Sequence, residues 1–220
     1  MSEIRPGEKE AIRSSSSQLL IQIAGAAIFG ALSVVVGAFL APNIPRIPGW
    51  FIAIVDPISI IWIACLLIFG VKAGILCSAV GTVGLMPFDS TGWIGPSMKF
   101  AATISLIIIP ILFLKLYKRE PGQLNSKKLK VPKNYVIYGL IGTVLRISVM
   151  EVLNIIAYLT VFSVYADMIT LEFLGLPQIT GMMAILIGAP LINAWQSALD
   201  LLIPYLLVFS TRLDEKFEIW

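Results

Sequence analysis

An all-α bundle of six membrane-spanning helices, with both termini in the cytoplasm, is the architecture this sequence predicts, and three observations predict it. Hydrophobic residues make up 58% of the chain and charged residues 13%, about half the charged fraction of a water-soluble domain. The apolar residues fall into six runs with short connections, and 220 residues leave room for six spans of about 20 residues each and no separate soluble domain. The basic residues gather in every second connection. Arg5, Lys9 and Arg13 precede the first run, Lys72 splits the second from the third, Lys115 to Lys133 separate the fourth from the fifth, and Arg212 and Lys216 follow the sixth. The other connections hold little more than Arg46 and, at a helix mouth, Lys99. Because Lys and Arg are retained on the cytoplasmic side, this pattern places both ends of the chain there.

The elements follow in order as one domain, 1–220. Residues 1–16 form a polar cytoplasmic segment, and the run after them is too long for a signal-peptide core, so it is expected to stay as a helix. Leu19 to Ala41 is the first span, with only Gln22 and Ser33 polar. It ends where Pro42, Pro45 and Pro48 forbid a continuing helix. Trp50 to Val71 and Ala73 to Pro87 form a pair divided at Lys72 and Gly74, and Asp56-Pro57 breaks the first of them, so the stretch before Pro57 is a candidate to fold back over the outer face. Phe88 to Trp93 is an outer loop and Gly95 to Leu116 the fourth span. A polar cytoplasmic linker, 119–133, leads to the fifth span, Tyr135 to Tyr158. Tyr165 to Gln178 is an outer loop, and Gly181 to Phe209 closes the set.

Composition narrows the chemistry. The net charge of +3 is concentrated in the cytoplasmic connections, where it reports topology and contact with anionic headgroups of the lipid bilayer and not a nucleic acid. Histidine is absent, which removes the commonest metal ligand and general base. Cys65 and Cys77 lie in apolar runs, where a thiol behaves as a small hydrophobe. There is no phosphate loop of the GxxxxGK type followed by Ser or Thr, so the chain has no means of using ATP by itself.

Polar side chains within the spans are the informative residues, since each costs about 2 kcal/mol or more when it faces lipid. Glu151, Asn154 and Tyr158 are spaced i, i+3, i+7, as are Asn193, Gln196 and Asp200, so each set forms one stripe along its helix. Counted from the inner ends at about 1.5 Å per residue, Glu151 and Asn193 share one depth, while Arg146 and Asp200 share a lower one. The lower layer reads as a structural Arg146 to Asp200 ion pair. The upper layer, Glu151, Asn154 and Asn193 with Lys99 near the outer mouth, has hydrogen-bonding capacity left over. It suits a capped pocket for a polar solute or interhelical bridging, and Tyr158 and Gln196 extend it as candidate substrate contacts. Trp50 and Trp93 read as members of the interfacial aromatic belt. Ala27 and Ala31, with Ala26 and Gly30 beside them, set a small-xxx-small spacing on the first helix, open to packing inside the bundle or to docking of a partner helix.

The order of features resembles the substrate-binding S component of energy-coupling factor (ECF) vitamin transporters. It runs from the Ala-Ala-Ile-Phe-Gly-Ala stretch at 26–31 and the proline-rich first loop leading to Ile54-Val55-Asp56-Pro57, through Phe69-Gly70-Val71-Lys72-Ala73-Gly74 and Thr91-Gly92-Trp93-Ile94-Gly95-Pro96. It continues with Val149-Met150-Glu151-Val152-Leu153-Asn154 and Gly188-Ala189-Pro190-Leu191-Ile192-Asn193. The riboflavin-binding branch is the most similar. Lys99, and the absence of a lysine after Asn193, depart from that branch. The resemblance implies a non-enzymatic subunit that captures riboflavin or a related vitamin-sized small molecule, with Asn154 in its pocket and Ala27 and Ala31 on the face meeting the transmembrane coupling subunit. It needs no cofactor of its own, because partner ATPase subunits use the ATP. Two other readings stay open: a stand-alone secondary transporter coupled through Glu151 and Asp200, and a membrane-embedded lipid-modifying enzyme.

Overall fold

The computed structural model describes the backbone of residues 6–116 and 125–217, and side chains over 16–116 and 127–217. Residues 1–5 of the expected polar N-terminus and 119–124 of the expected linker lie outside the described residues. The chain is all-α apart from one small hairpin. In order it forms α1 (Pro6–Val35), α2 (Pro57–Phe69), α3 (Val71–Leu85), α4 (Ile94–Leu116), α5 (Asn125–Lys130), α6 (Pro132–Thr160), α7 (Gly181–Tyr205) and α8 (Leu213–Phe217). Four segments are long and apolar enough to cross a membrane: Ser16–Asn43, Ile94–Leu116, Pro132–Thr160 and Gly181–Ser210. With 13 and 15 residues, α2 and α3 reach only about 20 and 22 Å, short of a hydrocarbon core of about 30 Å.

The Trp50 to Val71 run is broken at Asp56-Pro57, as the sequence suggests: its helix starts at Pro57 and stops at Phe69. Asp56 is extended (φ −105°, ψ 93°), and its Oδ1 accepts a hydrogen bond from the Ile58 backbone N–H at 3.1 Å. That is the geometry of an N-cap followed by proline in the first turn. At the other end Gly70 has φ +96°, ψ 178°, a conformation open essentially to glycine alone, which separates α2 from α3 without a connecting loop. Residues 44–55 make no helix. They fold on themselves through an Arg46 to Ala53 antiparallel bridge and the bonds Ile47 N to Ile52 O, 2.8 Å, and Ile54 N to Pro45 O, 3.0 Å.

The loop after α6, expected on the outer side, is likewise more ordered than the sequence suggests. A 3-10 turn at Ser163–Met168 leads into a hairpin of β1 (Thr170–Leu171) and β2 (Leu176–Thr180), which turns at Gly175 (φ +73°). This hairpin and the 44–56 segment lie together: Trp50 Nε1 donates to Thr170 O at 2.9 Å and the Thr170 N–H to Gly49 O at 3.2 Å. Trp50 is only 4% exposed, so its expected place in the interfacial belt is overturned; its indole N–H has found a buried carbonyl instead. Trp93 stays exposed.

Two apolar cores result. The inner one joins α2, with Trp62, Leu66 and Phe69, to Leu106 and Leu114 of α4 and to Val208 and Phe209 after α7. The outer one is smaller and gathers Ile47 and Trp50 with Ile169, Leu171 and the α7 residues Ile185, Ala189 and Ile192. Gly188 makes the outer core possible, because a Cβ there would collide with the Trp50 ring.

Candidate functional site

Depth along α7 shows how far the irregular segment descends. Gln196 lies 15 positions after Gly181, about 22 Å down the helix, and its Nε2 donates to Ala53 O at 3.1 Å. Beside it, Trp195 Nε1 donates to Ile54 O at 3.1 Å. The end of the 44–56 segment thus sits deep within the bundle, well below the helix ends. Non-helical backbone at such depth is tolerated only where protein satisfies its polar groups, and these two α7 side chains do so.

Where that segment ends, charges converge. Lys99 Nζ, on the second turn of α4, lies 2.6 Å from Asp56 Oδ2, which also accepts from Ser59 Oγ at 2.7 Å. Ser59 Oγ is in turn 3.1 Å from Thr103 Oγ1. Across the interior Arg146 Nη1, on α6, lies 2.6 Å from Asp200 Oδ2 of α7. Arg146 and Asp200 are 1% and 0% exposed. Both cations act electrostatically on both carboxylates, so Asp56, Lys99, Arg146 and Asp200 form one neutral quartet of charges.

The α7 stripe belongs mostly to Arg146. Its Nη2 donates to Gln196 Oε1 at 3.3 Å and its Nε toward Asn193 Oδ1 at 3.4 Å. Asn193 Nδ2 returns to Ala189 O at 2.9 Å. Asn193, Gln196 and Asp200, one helical face by spacing, therefore present three acceptors to one guanidinium. This corrects the expected layering. Asn193 and Gln196 join the lower network, and both ends of the Gln196 amide are taken up by protein. Depth counted at Cα misplaced them because an arginine side chain with its planar fork of donors spans more than one helical turn. Lys99, expected in the upper layer, is instead the partner of Asp56.

Part of what stays unsatisfied lies on α6. Asn154 is 5% exposed, and its amide makes no hydrogen bond among the described residues. One turn away, Glu151 Oε2 is buried with no partner there. Tyr158, the third member of that stripe, is half-buried, packs against the outer core and lies 5.9 Å from the Phe162 ring. Asp200 Oδ1 is also buried without a partner among the described residues.

On α1 the two classes of small residue separate. Ala26 and Gly30 are buried, Gly30 against Val80 and Cys77 of α3, while Ala27 and Ala31 face outward. Leu20, Ile28 and Phe39 are exposed on the same helix.

Sequence reasoning did not assign Asp56 to the site, nor Trp195 as a donor to buried backbone. The Asp56-Pro57 pair carries a helix-start signal, which identifies the cap but not the lysine it meets. Trp195 carries none, since an apolar aromatic in a span reads the same whether it faces lipid or backbone. Comparison with protein-family models, curated proteins and solved structures gave no match to this chain.

Proposed function

We propose that this chain is the solute-binding membrane subunit of an energy-coupling factor transporter, a six-span bundle with both termini in the cytoplasm. It takes up riboflavin or a related vitamin-sized molecule from outside and passes it inward only when docked on a coupling subunit and ATPase subunits. The observation that carries this reading is the α6 pair of Glu151, whose Oε2 is buried with no partner among the described residues, and Asn154, a residue only 5% exposed, one turn along. A buried polar atom left unpaired costs about 1–3 kcal/mol, and native proteins keep few such groups without a reason. A solute polar group provides one. Glu151 lies one turn below and the outer core packs around Tyr158, so the Asn154 amide belongs to a region with polar contacts and an apolar cover, as small-molecule sites require. The outward face of Ala27 and Ala31 supports the docking part, because small side chains let a second helix approach closely in lipid, where apolar burial supplies no drive.

The reading is tested on detergent-purified protein by native mass spectrometry of the retained molecule and by its affinity. Asn154→Ala weakens retention by about 1–3 kcal/mol while the melting temperature is held. Unchanged affinity in that variant removes Asn154 from the site and the reading with it. Ala31→Trp abolishes assembly with the coupling subunit while solute binding by the isolated chain survives. If the solute were lost and the complex still formed, the Ala27 and Ala31 face would not be the docking surface.

A further inference from the structure

We propose that the solute's polar end is a cation bearing N–H donors, of the amine or amidine class, with Glu151 as its charge partner and Asn154 as the neighbouring hydrogen-bonding contact; this rests on the solute-binding reading of the same site and selects a basic vitamin-sized solute over the neutral riboflavin. The argument is an account of what the interior already has. Its two cations are committed: Lys99 Nζ to Asp56 at 2.6 Å and Arg146 Nη1 to Asp200 at 2.6 Å. The remaining Arg146 nitrogens that bond are directed at Gln196 and Asn193. Those four charges cancel. Asp56 is saturated, since Oδ1 takes the Ile58 N–H while Oδ2 takes Ser59 and Lys99.

The unmet capacity centres on Glu151, whose Oε2 is a buried oxygen without a partner among the described residues, with the Asn154 amide beside it on α6. In its ionised form Glu151 only accepts hydrogen bonds and carries a charge outside the balanced quartet, so a solute that holds it in that form must donate. An anionic solute adds to that charge, and to gain a cation it must strip Lys99 from Asp56 or Arg146 from three acceptors. A neutral donor satisfies the hydrogen bonds but leaves the charge. A cation with N–H groups does both, and a flat one has the half-buried Tyr158 ring, seven positions from Glu151, as a face on which to lie.

Three probes of nearly one shape separate the cases: benzamidine, a cation, benzamide, neutral, and benzoate, an anion. With the full chain in detergent, benzamidine binds about tenfold more tightly than benzamide, the scale of one added charge-assisted contact, and benzoate does not raise the melting temperature. Glu151→Gln abolishes that preference and leaves benzamide binding in place. Should Glu151→Gln not fold, Asn154→Asp, which adds a second carboxylate, widens the preference for benzamidine. Equal or tighter binding of benzamide or benzoate, or a preference that survives Glu151→Gln, overturns the proposal. A neutral or anionic molecule retained through Asn154 overturns the charge assignment and leaves the solute-binding reading standing. Failure of all three probes together with no retained molecule removes both.

Discussion

The inner and outer halves of the bundle are closed by different physics. Toward the basic connections, α2 contributes Trp62, Leu66, Leu67 and Phe69 to a continuous apolar core that reaches Leu106, Leu114 and Val208. Phe29, Phe69 and Phe217 pack in series, the first pair edge-to-face and the second tilted, with ring centroids 5.6 and 4.8 Å apart. Toward the outer end the backbone is irregular, and side-chain donors hold it: Trp50 to Thr170 O, Trp195 to Ile54 O, Gln196 to Ala53 O. Between the halves lies the charge quartet. Apolar packing is non-directional and tolerant of small shifts, whereas a few directional bonds either hold or break. One half can therefore yield by small shifts, and the other only by breaking separable contacts.

The largest test of this contrast attacks the quartet. Asp200→Ala leaves Arg146 as an unpaired charge in low dielectric, and about 3–5 kcal/mol of stability is lost, read as a lower melting temperature in detergent. Replacing the pair together, Arg146→Met with Asp200→Leu, recovers much of the loss. An Asp200→Ala protein as stable as the parent would mean that the seam between the halves is not electrostatic.

A smaller effect isolates the outer half. Gly188→Val drives a side chain into the Trp50 ring and costs about 1–3 kcal/mol by overpacking. The two-core picture requires that hydrogen exchange accelerate over 163–180 and 44–56 while α2 stays protected. Uniform acceleration through both halves would show that the two cores behave as one.

The smallest test lies at the inner surface. Lys130 Nζ is 2.6 Å from Glu215 and 3.4 Å from Asp214, fixing α8 to α5. The hydrogen bond from Lys130 holds the exposed Glu215 carboxyl below its ordinary value. A depressed carboxylate contributes at neutral pH, above its unfolded value of about 4.3, and the contribution fades as pH falls through the folded value. Exposed pairs contribute little. Protection of α8 amides therefore drops slightly on acidification, and Glu215→Gln removes that dependence while the outer half is unaffected. The same acid response in the outer half would break the comparison.

Much of this was legible in the sequence, and the failures are instructive. Apolar run length placed the four long helices, because those runs have clear polar or proline boundaries. Equal depth paired Arg146 with Asp200, and the two side chains meet at 2.6 Å. The course of residues 44–56 was not legible. Three prolines say that the chain leaves a helix but not where it goes next, and its depth is fixed by Trp195 and Gln196, more than a hundred positions away. The roles of Asn193 and Gln196 were hidden for a related reason: helical spacing shows that side chains share a face, and the reach of the group opposite decides what they bind. On α1 small residues occupy adjacent positions, so periodicity alone has no means to choose Ala26 over Ala27 for the buried side.

The shortness of α2 bears on how the protein is made. A helix of 13 residues is too brief to be held in a bilayer by its own hydrophobicity, and its first turn carries Asp56 and Ser59, which are covered only once Lys99 and Thr103 of α4 have been synthesised. The carbonyls just ahead of it wait longer, for Trp195 and Gln196. During synthesis the α2 and α3 hairpin therefore leaves the ribosome with α1 already made but before its α4 and α7 partners exist. Its final position is settled after translation of α7, so a nascent chain truncated before that helix exposes this hairpin to quality-control proteases.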